Sequence, residues 1–277
     1  MCLVLWYEVK RSLSRRIRSP LEFLTESLAV YIFLVAAVFA AAGRVPVPSG
    51  SAIAPAGGLG PLGRTPSEIM FAFACVFFCL GAIQGASFLS TEEPGTVILD
   101  QLAMSAYPLW QIALVRDVAS IINFIPSMAL ILGAVSLTTG ARFPWPSPSA
   151  LAPIIMMRLG MLGIGYALGA LALLAKRVGG VVNLVSMALF ALALAPARHD
   201  GGVLGAVGIV FPYRLWYQLA VDLTFGGVEK AQRLAYAGSA LSLALASVVT
   251  LVHFCAGLAV FNAAFRASLR RGTLSRA

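Results

Sequence analysis

Three of the eleven carboxylates in this sequence lie within nine residues of one another in a polar segment, where they could bind a partner. Glu92, Glu93 and Asp100 belong to the segment 91–117, which lies between two long apolar stretches. Carboxylates are costly in hydrocarbon, so this segment is predicted to lie in water or against a protein surface. It continues through residues 107–110, which are too apolar for a loop without a partner. The sequence therefore predicts that the segment docks a second protein.

Two other ionisable residues, Arg158 and His253, lie within apolar runs. Ionisable side chains are rare in membrane segments and often mark a substrate or ion path. A structural interpretation also stays open for each. Arg158 could extend to the outer face or pair with a loop carboxylate, and His253 could be a core histidine with satisfied hydrogen bonds. No carboxylate is predicted mid-span, since Glu26, Glu68 and Asp117 are placed at span ends.

The chain carries no recognisable catalytic or nucleotide-binding pattern. None of its three lysines follows a glycine, so a Walker A motif is absent from the sequence. His199 is predicted in an outer loop and His253 in the core, which leaves no Ser-His-Asp arrangement. Cys75 and Cys79 share a helix face and are predicted to be small core residues rather than metal ligands. We therefore expect no enzyme activity, cofactor or metal in this chain.

The elements around these residues are predicted to be membrane helices. The sequence is 60% hydrophobic and only 11% charged, against about 25% charged in soluble domains, and its mean hydropathy is +0.90. Six apolar runs approach or exceed the roughly 20 residues that span a bilayer. These runs are Leu24–Ala42, Ile69–Leu89, Val118–Leu137, Leu151–Ala175, Val178–Ala197 and Tyr236–Phe261.

The positions of lysine and arginine predict the orientation of these spans. Basic residues concentrate in the N-terminal arm, at Lys176 and Arg177, and in the tail from Arg266. With six spans all three groups fall on one side, which the positive-inside rule assigns to the cytoplasm. Both termini are therefore expected in the cytoplasm, with the protein in the cell (inner) membrane. The net charge of +9 is explained by topology, without a nucleic-acid partner.

Two more segments complete the predicted architecture of a single domain, 1–277. Residues 1–20 have an apolar face and an arginine-bearing face at helical spacing, which predicts an elbow helix lying among lipid headgroups. The stretch 203–225 is apolar but contains Pro212, Arg214 and Asp222, which favours a re-entrant hairpin on the outer face. The expected fold is an all-α integral membrane protein with six transmembrane helices and this hairpin between helices five and six.

The segment 91–117 resembles the cytoplasmic signature of the type-2 ATP-binding-cassette (ABC) exporter permeases. The resemblance is carried by Glu93–Thr96 and Leu99–Ser105. In that family an acidic residue precedes Gly-Thr, followed by Leu-Glu-Gln-Leu and Ser-Pro. This chain has two extra residues after Gly-Thr, an Asp at position 100, and Ala106 where the family has Pro. The elbow helix, six spans, outer hairpin and arginine-rich tail are similar to the family's layout.

The resemblance implies a half-transporter that exports a hydrophobic or amphiphilic small molecule or a lipid. Two permease subunits, identical or sister chains, would pair in the membrane. Separate P-loop ATPase subunits, which bind ATP and magnesium, would dock on the segment. Thr96 could cap a short coupling helix in which Ile98 and Leu102 share one face. The predicted docking residues are Glu92, Glu93, Gly95, Thr96, Ile98, Asp100, Gln101 and Leu102.

Two other functions stay open at this point. One is a stand-alone secondary transporter or channel, which the expected absence of mid-span carboxylates and of an internal repeat disfavours. The other is a membrane anchor or sensor that binds a partner through the same segment without moving a solute.

Overall fold

The computed structural model describes residues 6–7, 9–10, 14, 20–41, 65–91, 109–175, 179–194, 212–225 and 240–271. Within these ranges the regular structure is helical. The helices are α1 (Pro20–Ala41), α2 (Pro66–Thr91), α3 (Leu109–Thr139), α4 (Leu151–Ala175), α5 (Gly179–Leu194), α6 (Pro212–Phe225) and α7 (Ala240–Arg271). A short 3-10 turn, Pro148–Ala150, leads into α4.

Each of the six predicted apolar runs falls on a helix of this bundle, which confirms the all-helical membrane character. Four segments are long and apolar enough to cross a membrane. They are Pro66–Gly85, Trp110–Thr139, Pro148–Leu174 and Leu243–Arg270. Helices α1 and α5 contribute the shorter apolar stretches Ser27–Ala40 and Gly180–Leu189.

Helix α2 is the centre of the bundle and contacts α1, α3, α4, α5 and α6. It is apolar on all sides, as a buried helix must be. Its N-terminus is closed by a capping box, in which the Thr65 amide donates to Glu68 Oε2 at 2.9 Å and the Glu68 amide donates to Thr65 Oγ1 at 3.3 Å. Cys75 and Cys79 are buried on this helix, which confirms them as core residues.

Helices α4 and α7 meet at two glycines. A Cβ atom on Gly163 would lie 2.7 Å from Phe254 Cα and closer still to the His253 carbonyl, and a Cβ on Gly257 would overlap the Gly163 carbonyl. The two backbones are therefore in direct contact, as small residues permit between membrane helices. Two glycines of α2 make no such contact, since a Cβ on Gly81 would have only an ordinary contact with Arg158 and a Cβ on Gly85 would face open space.

Helix α6 packs on α4 and α7. Pro212 is its first residue, a position that tolerates proline because the missing amide has no helical partner. Its Trp216 donates from Nε1 to Thr250 Oγ1 of α7 at 2.7 Å, and both side chains are buried. Residues 203–211 of the predicted hairpin lie outside the described residues. Of the predicted elbow helix 1–20, the few described positions, Trp6 and Tyr7 among them, are helical.

Candidate functional site

A buried ion pair joins α3 to α4 in the interior of the bundle. Arg158 Nη2 lies 2.5 Å from Asp117 Oδ1, and Arg158 Nε donates to Asp117 Oδ2 at 3.2 Å. The side chains of Arg158 and Asp117 are 6% and 9% exposed. This is the bidentate fork geometry that makes arginine the strongest carboxylate partner.

Ser120 of α3 and Phe78 of α2 supply the remaining contacts of the guanidinium. Ser120 Oγ accepts from Arg158 Nη2 at 3.0 Å, and the Phe78 carbonyl of α2 accepts from Nη1. The Phe78 ring lies under the guanidinium, with 4.4 Å from Arg158 Cζ to the ring centroid. Arg158 is thus held by α2 and α3 at once, through charge, hydrogen bonds and a cation–π contact.

The ion pair lies near the middle of α2. Phe78 follows Pro66 by twelve residues and precedes Thr91 by thirteen, or about 18 and 20 Å of helix at about 1.5 Å per residue. Arg158 and Asp117 are therefore paired about halfway along the central helix of the bundle. Intramembrane ionisable residues of this kind face the protein interior and pair with one another.

Asp117 corrects the sequence analysis. The prediction placed it at the end of a span beginning at Val118, and it placed no carboxylate mid-span. Helix α3 instead begins at Leu109, and Asp117 lies two turns inside it, 8% exposed. The predicted partner of Arg158, a loop carboxylate, is wrong for the same reason. Residues 109–117 of the predicted docking segment are therefore part of a long membrane-type helix.

A second feature adjoins the ion pair: an apolar cleft of about 700 Å³ between α2, α3 and the connection 140–147. Its floor includes the rings of Phe78 and Phe124, whose centroids are 5.8 Å apart. The cleft and the ion pair therefore share Phe78, which has its ring under Arg158 and also lines the cleft. Arg142 and Trp145 line the cleft in the connection after α3.

His253, the other predicted substrate-path residue, is not brought together with Arg158. His253 lies on α7, half-buried, with Nδ1 2.8 Å from the Val249 carbonyl of the preceding turn. None of the hydrogen bonds of Arg158 goes to it. The docking residues between Glu92 and Leu102 lie outside the described residues. No cluster of His, Cys, Asp or Glu able to hold a metal occurs in the described part of the chain.

Comparison with known proteins adds no assignment. No protein-family model matches the chain, and no curated protein has a significantly similar sequence. Function must therefore be argued from the residues themselves.

Proposed function

We propose that this protein is the membrane-spanning permease subunit of an ATP-driven exporter that moves a hydrophobic or amphiphilic molecule. Its energy would come from a separate P-loop ATPase, with ATP and magnesium, docked on the segment 91–117. The permease would act paired with a second copy or a sister subunit. The observation that carries the proposal is the Glu93–Thr96 and Leu99–Ser105 pattern of that segment.

The position of the segment supports this role. In the sequence it follows α2, and its last residues, 109–117, form the start of α3. Asp117 lies eight residues further along the same helix, where it binds Arg158 of α4. Because an α-helix is stiff over this length, a displacement of the start of α3 would move Asp117 against Arg158 and Phe78. The helix is thus a physical route from an ATPase to the centre of the bundle.

The test is affinity purification of the tagged chain from its native membrane, followed by identification of bound proteins and an ATPase assay. Stoichiometric recovery of a P-loop ATPase, and vesicle transport that needs that subunit and ATP, would support the proposal. Recovery of a chain with no ATPase, in mild detergent and with its neighbouring genes expressed, would contradict it.

The buried carboxylate favours a second candidate, a secondary transporter. The sequence analysis disfavoured that function because no mid-span carboxylate was expected, and Asp117 removes this objection. Proton relays in membrane transporters use carboxylates in such settings. Reconstituted protein would then transport in response to a pH gradient without ATP, and Asp117→Asn would abolish that response. Transport driven only by ATP would exclude this candidate.

The proposed topology has six crossings, an interfacial elbow helix at 1–20, an outer re-entrant hairpin at 203–225, and both termini in the cytoplasm of a cell membrane. Single cysteines placed at Ser14 and Ser147 would test it in right-side-out vesicles. A membrane-impermeant maleimide should label the residue at 147 in intact vesicles and the residue at 14 only after the vesicles are opened. Labelling of both in intact vesicles would contradict the three crossings proposed between the two positions.

A further inference from the structure

We propose that the cleft between α2 and α3 binds a single-chain anionic amphiphile taken from the bilayer, with its headgroup on Arg142 and its tail against Phe78 and Phe124. The inference deepens the proposed transport function, on which the role of this ligand as cargo rests. The binding itself is argued from the shape, lining and charge of the cleft.

The shape of the cleft matches an extended acyl chain. One stripe of α3 lines it from Phe124 to Leu137, a helical rise of about 20 Å. One leaflet of the hydrocarbon core is about half of 30 Å thick, so the stripe is long enough for a whole acyl chain. The volume of about 700 Å³ lies in the range of roughly 300–1,000 Å³ that holds one small ligand.

The lining separates a tail region from a headgroup region. On α2 and α3 it consists almost wholly of Phe, Met, Leu, Ile and Ala side chains, which suit hydrocarbon. Among the described residues that line the cleft, Arg142 alone carries a charge. Trp145 lies beside it, 80% exposed, and its ring meets that of Phe143 edge-on at 5.8 Å. Tryptophan and arginine are the residues that meet lipid headgroups at a membrane interface.

The backbone fixes Arg142 at this end of the cleft while its guanidinium stays available. Helix α3 ends at Thr139, and the φ of +71° at Gly140 turns the chain toward the start of α2. Ser67 Oγ at the start of α2 then donates to the Arg142 carbonyl at 2.9 Å. The nearby Glu68 carboxylate is used by the capping box. Among the described residues no carboxylate forms an ion pair with Arg142, so its guanidinium is available to pair with the anionic group of a ligand.

The test measures binding without ATP or any ATPase. The full-length protein, in phosphatidylcholine nanodiscs, is exposed to a long-chain fatty acid bearing a photoactivatable diazirine, and to its uncharged methyl ester. We expect the acid to label peptides of α2 and α3 about threefold to fivefold more than the ester, the gain that one exposed ion pair gives. Arg142→Gln should remove this difference, and Arg142→Lys should keep most of it.

Blocking the cleft supplies the matched control. A Cβ on Gly133, which lines the cleft, meets nothing within 4 Å, and the same is true of Gly180 on α5, away from the cleft. Gly133→Leu should therefore reduce labelling by both probes more than twofold, while Gly180→Leu should not. Equal labelling by acid and ester in the wild type, or labelling unchanged by Gly133→Leu, would overturn the inference.

A second measurement does not depend on cross-linking. A fatty acid carrying a nitroxide should quench the tryptophan fluorescence, and the part of the quenching that is lost in Trp145→Phe should also fall in Arg142→Gln. Quenching equal in wild type and Arg142→Gln would count against the charge contact. Intact binding without ATP-dependent release would contradict the proposed export function alone. ATP-dependent export of another solute without binding here would contradict this inference alone.

Discussion

Arg158 and Asp117, forty-one positions apart in the chain, form a two-point ion pair between α4 and α3 at the mid-depth of α2. The cost of withdrawing two charges from water is offset only when both remain paired and hydrogen-bonded. Here the guanidinium also has the Phe78 carbonyl, the Phe78 ring and Ser120 Oγ as partners. The pair is therefore a polar centre whose two members depend on each other.

Loss of one member should destabilise the protein more than loss of both. Arg158→Met leaves the Asp117 carboxylate buried without its counter-charge, and we expect a cost of about 3–5 kcal/mol. Asp117→Leu with Arg158→Met removes both charges and should recover part of that cost. Thermal unfolding in detergent, followed by size-exclusion chromatography, measures the midpoints. If Arg158→Met unfolds at the wild-type temperature, the pair has no structural role.

The glycine contact between α4 and α7 should tolerate no side chain. Gly163→Ala and Gly257→Ala each place a methyl group against the opposite backbone, so overpacking of about 1–3 kcal/mol is expected. Gly133→Ala is the control: its Cβ enters open space, and alanine favours a helix by up to about 1 kcal/mol. Lower unfolding midpoints for the first two variants and an equal or higher midpoint for the third would agree. Three equal midpoints would contradict the backbone contact.

Removing the acceptor of the Trp216–Thr250 hydrogen bond should destabilise the protein, because the donor is then left buried without a partner. Thr250→Val removes the acceptor and leaves the buried indole N–H unpaired, at a cost of about 1–3 kcal/mol. Thr250→Ser retains a hydroxyl and should stay near wild type. The valine variant loses the hydroxyl and the serine variant loses the methyl group, so the difference between their unfolding midpoints measures the hydrogen bond against the methyl packing. A serine variant as unstable as the valine variant would show that the methyl packing matters instead.

The docking segment should lose its partner when its apolar face is charged. Leu102→Asp is expected to abolish co-purification of the proposed ATPase, since a carboxylate cannot enter an apolar contact without a partner. Asp100→Ala should weaken ATPase association or substrate-stimulated hydrolysis. Leu269→Asp, at a partly exposed position of α7, is the matched control and should retain both. Unchanged association in Leu102→Asp and Asp100→Ala would refute the coupling assignment.

The sequence predicted the helices well, because long apolar runs have few alternatives in a membrane. It missed Asp117 for a physical reason. The prediction began the third span at Val118, directly after the charged residues Arg116 and Asp117. A carboxylate can nevertheless lie in a buried part of a helix when a cation on another helix neutralises it. That cation, Arg158, was recognised, but its partner depends on how α3 and α4 pack, which residue spacing in one chain does not determine.

The same limit applies to the glycines. The Gly-x-x-x-Gly spacings within single helices, Gly81/Gly85 and Gly165/Gly169, do not include Gly163 and Gly257, which make the contact from two helices. A local signal was present but not used at the start of α2. Thr65 and Glu68 have the spacing of a capping box, and that motif can be recognised from sequence alone.

Backbone contact at Gly163 and Gly257 has a mechanical consequence. Helices α4 and α7 cannot slide past each other without separating, so they should move as one rigid body. The described residues show no such backbone contact for α3, which is tied to α4 by Arg158 binding both Asp117 and Ser120. We therefore expect any working motion of the bundle to be a displacement of α3 relative to the α4–α7 body. In that motion the Asp117–Arg158 ion pair would break when α3 moves away from α4 and form again when it returns.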